Sequence, residues 1–372
     1  MARATAQPHR SRPGAERGMN ILDRYIVARI LALTALVMAV IICLAVMITF
    51  IAEQGDTGTG HYGSIDAFWF SVMSVPQQAW ALLPIGALIG SMLGLGSLAS
   101  GSELTVARAA GVSVRRLAVS VFIAGIVLIG VELILGELLA PPLQQVARQQ
   151  RASARFSDAS FETGSAWVRD GNQILDVEHT QDGEIHGGML IFELSADHHL
   201  LAVGRAVRAL PGTDHRWVLR GYAESRFADG QVMATSQDLH NLDSNVSGQF
   251  LNLATAEPGE LASGALWSLI GYYRANSLDP KPYLFAFWSR IARTCAIAFA
   301  VLLAIPFVLG PMRSSGTGAR LLAGLMLGLG FFFLQRFIES GTIVFDLNPV
   351  LLAWLPTGVL IVVTMGLLAR VR

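Results

Sequence analysis

The chain is short of charge, of lysine and of cysteine, and each shortage removes a class of function. Charged residues make up 15% of its 372 residues against 53% hydrophobic ones, with a mean hydropathy of +0.51. Soluble domains carry about a quarter charged residues, so the balance argues against a soluble enzyme. Lysine occurs once, as Lys281, and Pro282 follows it. A Gly-x-x-x-x-Gly-Lys-Ser/Thr phosphate loop needs a lysine followed by a hydroxyl, so ATP is not bound through such a loop, and no kinase lysine motif fits. Any work the protein performs draws its energy from a partner. Cys43 and Cys295 both lie in apolar runs, which leaves the polar middle of the chain without a disulfide. No Gly-x-Ser-x-Gly elbow anchors a hydrolase nucleophile, and no basic stripe on a polar domain marks a nucleic-acid surface.

What the sequence does have is long apolar runs. A transmembrane helix takes roughly 20 apolar residues with few or no charges. Residues 30–52 qualify, lying uncharged between Arg29 and Glu53. The uncharged stretch 67–102 is too long for one simple span, and Pro76 and Pro84 interrupt it, with Gln77 and Gln78 between them. It reads as a helix over 66–75 at the outer surface, then a kinked span to 99. Residues 117–140, which include Glu132 and Glu137, form a third span. Residues 294–307 (extended outward through Phe285), 321–337 and 347–369 bring the count to six. Residues 1–18 hold Pro8, Pro13, Gly14 and five Arg or Glu. They suit neither a signal peptide nor a helix, and are expected to be disordered or to precede the true start at Met19.

Charge is unevenly placed. Residues 141–264 hold nine Arg against sixteen Asp and Glu, a local net of −7, and the rest of the chain is +7. One set of short loops carries Arg24 and Arg29, then Arg108, Arg115 and Arg116, then Arg313 and Arg320, then Arg370 and Arg372. The opposite set carries Glu53, Asp56, Asp66 and Asp346 and no basic residue. Lys and Arg of short loops stay on the cytoplasmic side. Both termini are therefore expected in the cytoplasm, with 141–264 exported.

Within the exported segment the pattern changes to short alternating runs. Residues 167–169 and 173–177 flank Asp170-Gly171-Asn172, a hairpin with a tight turn. Further strands are expected at 189–194, 200–209, 217–226 and 231–235, separated by Asp197-His198-His199, Pro211-Gly212-Thr213 and Asp229-Gly230. Strands at this spacing imply a sandwich, jelly roll or open barrel, serving either as a passive docking module or as a greasy groove for an acyl-bearing ligand. Six of the eight histidines lie here, among them His179, His186, His198 and His199. A zinc site needs three or four convergent ligands, so they read as solvated turn residues rather than a metal centre.

Between spans two and three, residues 100–111 read as a short helix. Ser102 is placed to cap it, Glu103 complements its positive N-terminus, and Gly111 closes it. On the cytoplasmic side such a helix is either a handle for an ATPase or a capped connector whose arginines meet anionic lipid.

Ser102-Glu103-Leu104, with Val106 and Ala110-Gly111, resembles the cytoplasmic loop of the LptF/LptG lipopolysaccharide-export permeases. The likeness extends to Leu22-Asp23-Arg24-Tyr25-Ile26, Ser74-Val75-Pro76, Leu82-Leu83-Pro84 and Leu93-Gly94-Leu95-Gly96. It continues through Gly136-Glu137, Ala140-Pro141, Trp167 and Asp170-Gly171-Asn172. Gly310-Pro311-Met312-Arg313-Ser314 looks like the LptG branch. Order and spacing, over nearly all of 19–372, carry the resemblance. It implies an α-helical inner-membrane protein: transmembrane helices 1–3 within 19–140, an inserted all-β, jelly-roll-like periplasmic domain over 141–264, and helices 4–6 within 265–372. It further implies a non-catalytic subunit of an ABC transporter that extracts lipopolysaccharide, with no cofactor of its own. ATP and Mg would belong to two LptB ATPases, the second permease would be LptF, and the lipid would pass to LptC and LptA. The helix at 102–110 would couple to LptB through Glu103, with Leu104, Val106 and Arg108 beside it, and spans one and five would form lateral gates.

Lipopolysaccharide presents phosphates above acyl chains, and charges within spans are functional candidates by default. Arg290 and Arg293 share one face at the outer end of span four, and Arg336 lies near the outer end of span five. Arginine can hold a phosphate bidentately, so these three form a candidate phosphate rim. Alternatively Glu132, Glu137 and Glu339 neutralise them as structural pairs. The family often carries basic residues at the outer end of span one, where Thr49-Phe50-Ile51-Ala52-Glu53 offers none. Two other classes stay open: an integral-membrane lipid-modifying enzyme with a periplasmic site, and a sensor signalling inward through its β-domain.

Overall fold

The computed structural model describes residues 21–155, 165–178, 188–195, 197, 199–211, 216–228, 231–244, 257–310, 316–341 and 347–370. The expectation for 1–18, the histidines 179, 186 and 198, and most of the 310–314 motif lie outside the described residues.

Among the described residues, six helices are long and apolar enough to cross a membrane, within Ile21–Asp56, Val75–Ser100, Val114–Arg151, Lys281–Leu309, Gly318–Ser340 and Pro349–Arg370. They belong to α1 (Ile21–Glu53), α3 (Val75–Ser100), α5 (Val114–Leu133), α8 (Lys281–Leu309), α9 (Thr317–Gly341) and α10 (Pro349–Arg370). The short helices are α2 (Ser64–Met73), α4 (Glu103–Ala109), α6 (Ala140–Arg155) and α7 (Ser263–Ala275). In α2, Asp66 Oδ2 accepts from the Gly63 N–H at 2.8 Å, fixing the first turn. One loop residue, Ser74, separates α2 from α3.

The third span does not stop at 140. Helix α5 passes through a π turn, Ile134–Leu139, directly into α6. Pro141 and Pro142 lack the N–H groups that an α-helix would use, and the Ala140 N–H shifts to the Leu135 carbonyl. The Gly136 carbonyl is thereby released from the helix, and Arg290 Nη1 donates to it at 3.1 Å.

Helix α3 is the centre of the bundle, packed against α1, α5, α8 and α9. Gly86, Gly90 and Gly94, one turn apart, face Met38, Thr34 and Ile30 of α1. Around this contact Leu83, Leu88, Met92, Leu95, Val121, Ala296, Ile297 and Val301 form the main apolar core. Because α3 runs the length of the bundle, α4 sits at one end and α2, α6 and the sheet at the other, about 39 Å away at 1.5 Å per residue.

The inserted unit is a seven-stranded antiparallel sheet in the order β1-β2-β3-β4-β6-β5, with β7 on the other side of β6. The strands are β1 (Ser165–Asp170), β2 (Gln173–Glu178), β3 (Met189–Leu194), β4 (Leu200–Ala206), β5 (Arg208–Pro211), β6 (Arg216–Ala228) and β7 (Gln231–Asp243). The hairpin at Asp170-Gly171-Asn172 forms as expected, with Gly171 at φ +56°. The expected 200–209 strand splits at Val207, and the expected 231–235 strand runs to Asp243 because it pairs with β6 along its length. Gly221, at φ +62°, interrupts the pairing of β6 with β7, and a Cβ there would stand 3.0 Å from Val207 Cγ2. One face buries Val168, Leu175, Val177, Met189, Ile191, Trp217 and Leu219. On the other, Trp167 is exposed and stacks on Phe192 at 5.7 Å.

Candidate functional site: the loop helix and the polar belt

Helix α4 is seven residues long and is anchored by one side chain. Leu104 is buried against the bundle core, whereas Glu103, Val106 and Arg108 are exposed. Of the four residues expected to meet an ATPase, Leu104 therefore pins the helix and the other three are displayed. Ser102 does not cap α4 through its side chain: its φ of +60° is left-handed, and an N-cap needs extended backbone. Gly111 does close the helix, at φ +94°, with its N–H on the Arg108 carbonyl and the Val112 N–H on that of Ala107. Tyr25 of α1 lines a small hollow beside Glu103, with Leu22, Ile26 and Leu104 around it. The start of α1 is held to α5 nearby, where Ser120 Oγ donates to Asp23 Oδ1 at 2.7 Å.

At the opposite end the intramembrane charges meet in a belt around Trp80. Glu132 is 1% exposed and accepts from Trp80 Nε1 at 2.8 Å and Thr294 Oγ1 at 2.7 Å. The Trp80 ring carries two guanidinium groups, Arg290 at 4.6 Å and Arg293 at 4.2 Å from its centroid. Such cation–π contacts strengthen when desolvated. Gly136 makes room for this ring, since a Cβ there would lie 2.3 Å from Trp80 Nε1. Glu137 accepts from Arg290 Nη1 at 3.0 Å, from the Ser263 N–H at 2.8 Å and from Ser263 Oγ at 2.5 Å. The belt thus ties the π turn to α8 and to the start of α7.

These contacts separate the three rim arginines. Arg290 is 6% exposed and committed to Glu137 and the Gly136 carbonyl, so it takes the structural pairing rather than a place on an open rim. Arg293 is half-buried, and the Gln335 amide oxygen, turned toward it, accepts from Nη2 at 2.9 Å and Nε at 3.1 Å. Arg336 lies on the surface of α9, its side chain 68% exposed, beside Glu339 at 2.9 Å.

The sequence reading did not single out Arg148 and Arg151, which α6 carries to this same end. Arg148 reaches Glu260 at 2.5 Å. Arg151 lies 2.8 Å from both Glu53 and Asp56, with Phe70 of α2 under its guanidinium at 5.2 Å. The outer end of α1, which has no basic residue of its own, receives one from α6. The spacing of 148 and 151 along one helix face was the available signal. Tyr62, 2% exposed, donates to Glu53 at 3.0 Å, and burial pushes its hydroxyl up to about 12. Burial likewise raises Glu260, against the pull of Arg148. Helix α7 is fixed to the first hairpin: the Tyr272 hydroxyl donates to the Arg169 carbonyl, and Asn276 Oδ1 accepts from the Gly171 N–H at 3.0 Å. Among the described residues no group of three or more His, Cys, Asp and Glu is placed to hold a metal ion.

Comparison with known proteins bears on the whole chain. It is 29% identical over 353 residues to the lipopolysaccharide export system permease protein LptG of Escherichia coli K12, covering 94% of this chain and 98% of that one. It is 26% identical over 357 residues to LptG of Haemophilus influenzae, covering 95% and 99%. The family model for the lipopolysaccharide export system permease LptF/LptG matches residues 24–370. A six-span helical bundle with an inserted antiparallel sheet, matched along its length in this way, belongs to the LptF/LptG family of lipopolysaccharide export permeases.

Proposed function

We propose that the chain is the LptG-like permease subunit of an ABC transporter, non-catalytic itself, that extracts lipopolysaccharide from the Gram-negative inner membrane. A partner LptF-like permease completes the path, two LptB-like ATPases supply the energy, and the lipid leaves toward LptC and LptA. The observation that carries this reading is α4. It stands at the end of the central helix with Glu103, Val106 and Arg108 displayed, while Leu104 fixes it to the core, which suits a helix that receives force. On this reading α4 faces the cytoplasm and the sheet the periplasm. Of the rim arginines, Arg336 is the one displayed for a lipid phosphate, with Arg293 behind it. The second face of the sheet, with Trp167 and Phe192, suits acyl chains.

The test is Glu103→Lys in tagged protein purified from its own membranes. Charge reversal on the displayed face of α4 should abolish co-purification of the ATPase or uncouple it, with the melting temperature of the permease unchanged. Normal ATPase association and lipid export in this variant would overturn the assignment.

A further inference from the structure

The last turn of α3 is gripped from two sides. On one side Arg29 Nε of α1 donates to Ser97 Oγ at 3.3 Å, and that hydroxyl donates to the Gly94 carbonyl at 2.8 Å. On the other, Arg320 of α9 lies buried, 2% exposed, with Nη1 donating to the Gly96 carbonyl at 2.5 Å and to Ser100 Oγ at 2.7 Å. Ser100 Oγ in turn donates to the Gly96 carbonyl at 2.9 Å. The guanidinium therefore rests on the Gly96 carbonyl in the last turn of α3, where the helix dipole favours a cation. Gly96 is needed for this approach, because a Cβ there would fall 2.5 Å from Arg320 Cδ. Only Gly101 and Ser102 separate Ser100 from the start of α4.

Farther along, α9 meets α3 through glycine against aliphatic side chains, Gly324 against Ile89 and Met92 and Gly328 against Ile85. These contacts are apolar and have no directional bond. The Arg320 cluster is of a different kind: it is directional, buried and placed at the joint between α3 and α4.

We propose that Arg320 is a positioning residue that ties the foot of α9 to the α3–α4 joint, so that displacement of α4 moves α9 with it. The inference rests on the reading of α4 as the helix that receives the ATPase stroke. It adds the route by which that stroke reaches a span displaying much of its surface to its surroundings.

The experiment reconstitutes the full complex in proteoliposomes and measures lipid released per ATP hydrolysed for wild type, Arg320→Ala and Arg320→Lys. Partial misfolding lowers release and hydrolysis together and leaves the ratio unchanged, whereas a broken tie lowers the ratio. Arg320→Ala is expected to reduce it about fivefold or more, the low end of coupling between distant sites. Lysine, which can donate to the same two oxygens, should restore part of the loss. An unchanged ratio in Arg320→Ala overturns the proposal. Should that variant fail to assemble, Ser100→Ala removes one acceptor without burying an unpaired charge, and the same ratio decides. Spin labels at Thr105 and Gly318 of the full chain in nanodiscs separate failure of the tie from failure of the transporter reading. A distance distribution that stays equally narrow in Arg320→Ala removes the tie whatever the ATPase does.

Discussion

Glycine sets how closely the first two long helices approach. A methyl group on Gly90 would fall 2.4 Å from the Thr34 Cα, a backbone atom that can yield only if α1 moves. Gly90→Ala should therefore cost about 1–3 kcal/mol by overpacking and lower the melting temperature of the purified protein. Gly130→Ala, with nothing within 4 Å of its new methyl, should leave that temperature unchanged or raise it. The spacing of Gly86, Gly90 and Gly94 is legible in the sequence as small residues one turn apart; the neighbour they face is not. The arginines teach the same lesson. Arg290 and Arg336 look alike in sequence, each a cation near a span end with a carboxylate in prospect. Folding buries Arg290 against a π turn 153 residues away and leaves Arg336 on the surface beside its own helical neighbour. Arg336→Glu should leave the fold intact and lower the lipid-stimulated ATPase rate of the assembled complex; full stimulation would remove Arg336 from the rim. Arg290→Glu would instead set a third carboxylate beside Glu137 and Glu132 and destabilise the bundle, so its kinetics would say little about lipid.

Among elements, α6 is the one that sequence reasoning placed least well. Its residues are polar enough to resemble the start of the exported segment, and the third span was expected to end where Pro141 and Pro142 begin. The π turn absorbs the two missing donors and lets the helix continue, which brings Arg148 to Glu260 and Arg151 to Glu53 and Asp56. Tyr62 completes the joint by donating to Glu53 from the loop before α2. A tyrosine ionises ordinarily near 10, and burial beside Glu53 holds Tyr62 up at about 12. A group whose folded pKa is raised contributes stability that is complete below its unfolded pKa and is lost as pH climbs through the folded one. The joint should thus weaken between about pH 10 and 12, seen as a falling melting temperature across that window. Tyr62→Phe should flatten the fall without abolishing it, because Tyr272, also pushed up to about 12 by burial, loses its share over the same range. An identical slope in wild type and variant would show that Tyr62 ionises as freely in the folded protein as in the unfolded chain. The strands, by contrast, fall where alternation and turn residues place them, since those are local signals, and β3 matches 189–194 outright, although the expected 200–209 strand splits at Val207. The length of β7 was not, because it is set by its partner β6 rather than by its own residues.

At the scale of the whole molecule, charge placement and fold agree on which ends belong together. The arginines at 24, 29, 108, 115, 116 and 320 all fall at the α4 end of the bundle, while Glu53, Asp56 and Asp66 gather with α2, α6 and the sheet. Such asymmetry is readable from sequence because it is a sum over loops and needs no contact. The ties that make the bundle one body are invisible there, since they join residues as far apart as Gly96 and Arg320, 224 positions along the chain. The orientation itself can be measured directly, because Cys43 and Cys295, both within spans, can be replaced without touching either end. In that cysteine-free background, Ser236→Cys on the exposed face of β7 should react with a membrane-impermeant maleimide applied to intact spheroplasts. Thr105→Cys on the exposed face of α4 should react only after the membrane is opened. The reverse pattern would place α4 outside, beyond reach of any cytoplasmic ATPase. It would also turn the row of arginines at the α4 end into an outward-facing surface, against the retention of Lys and Arg in the cytoplasm that governs short loops.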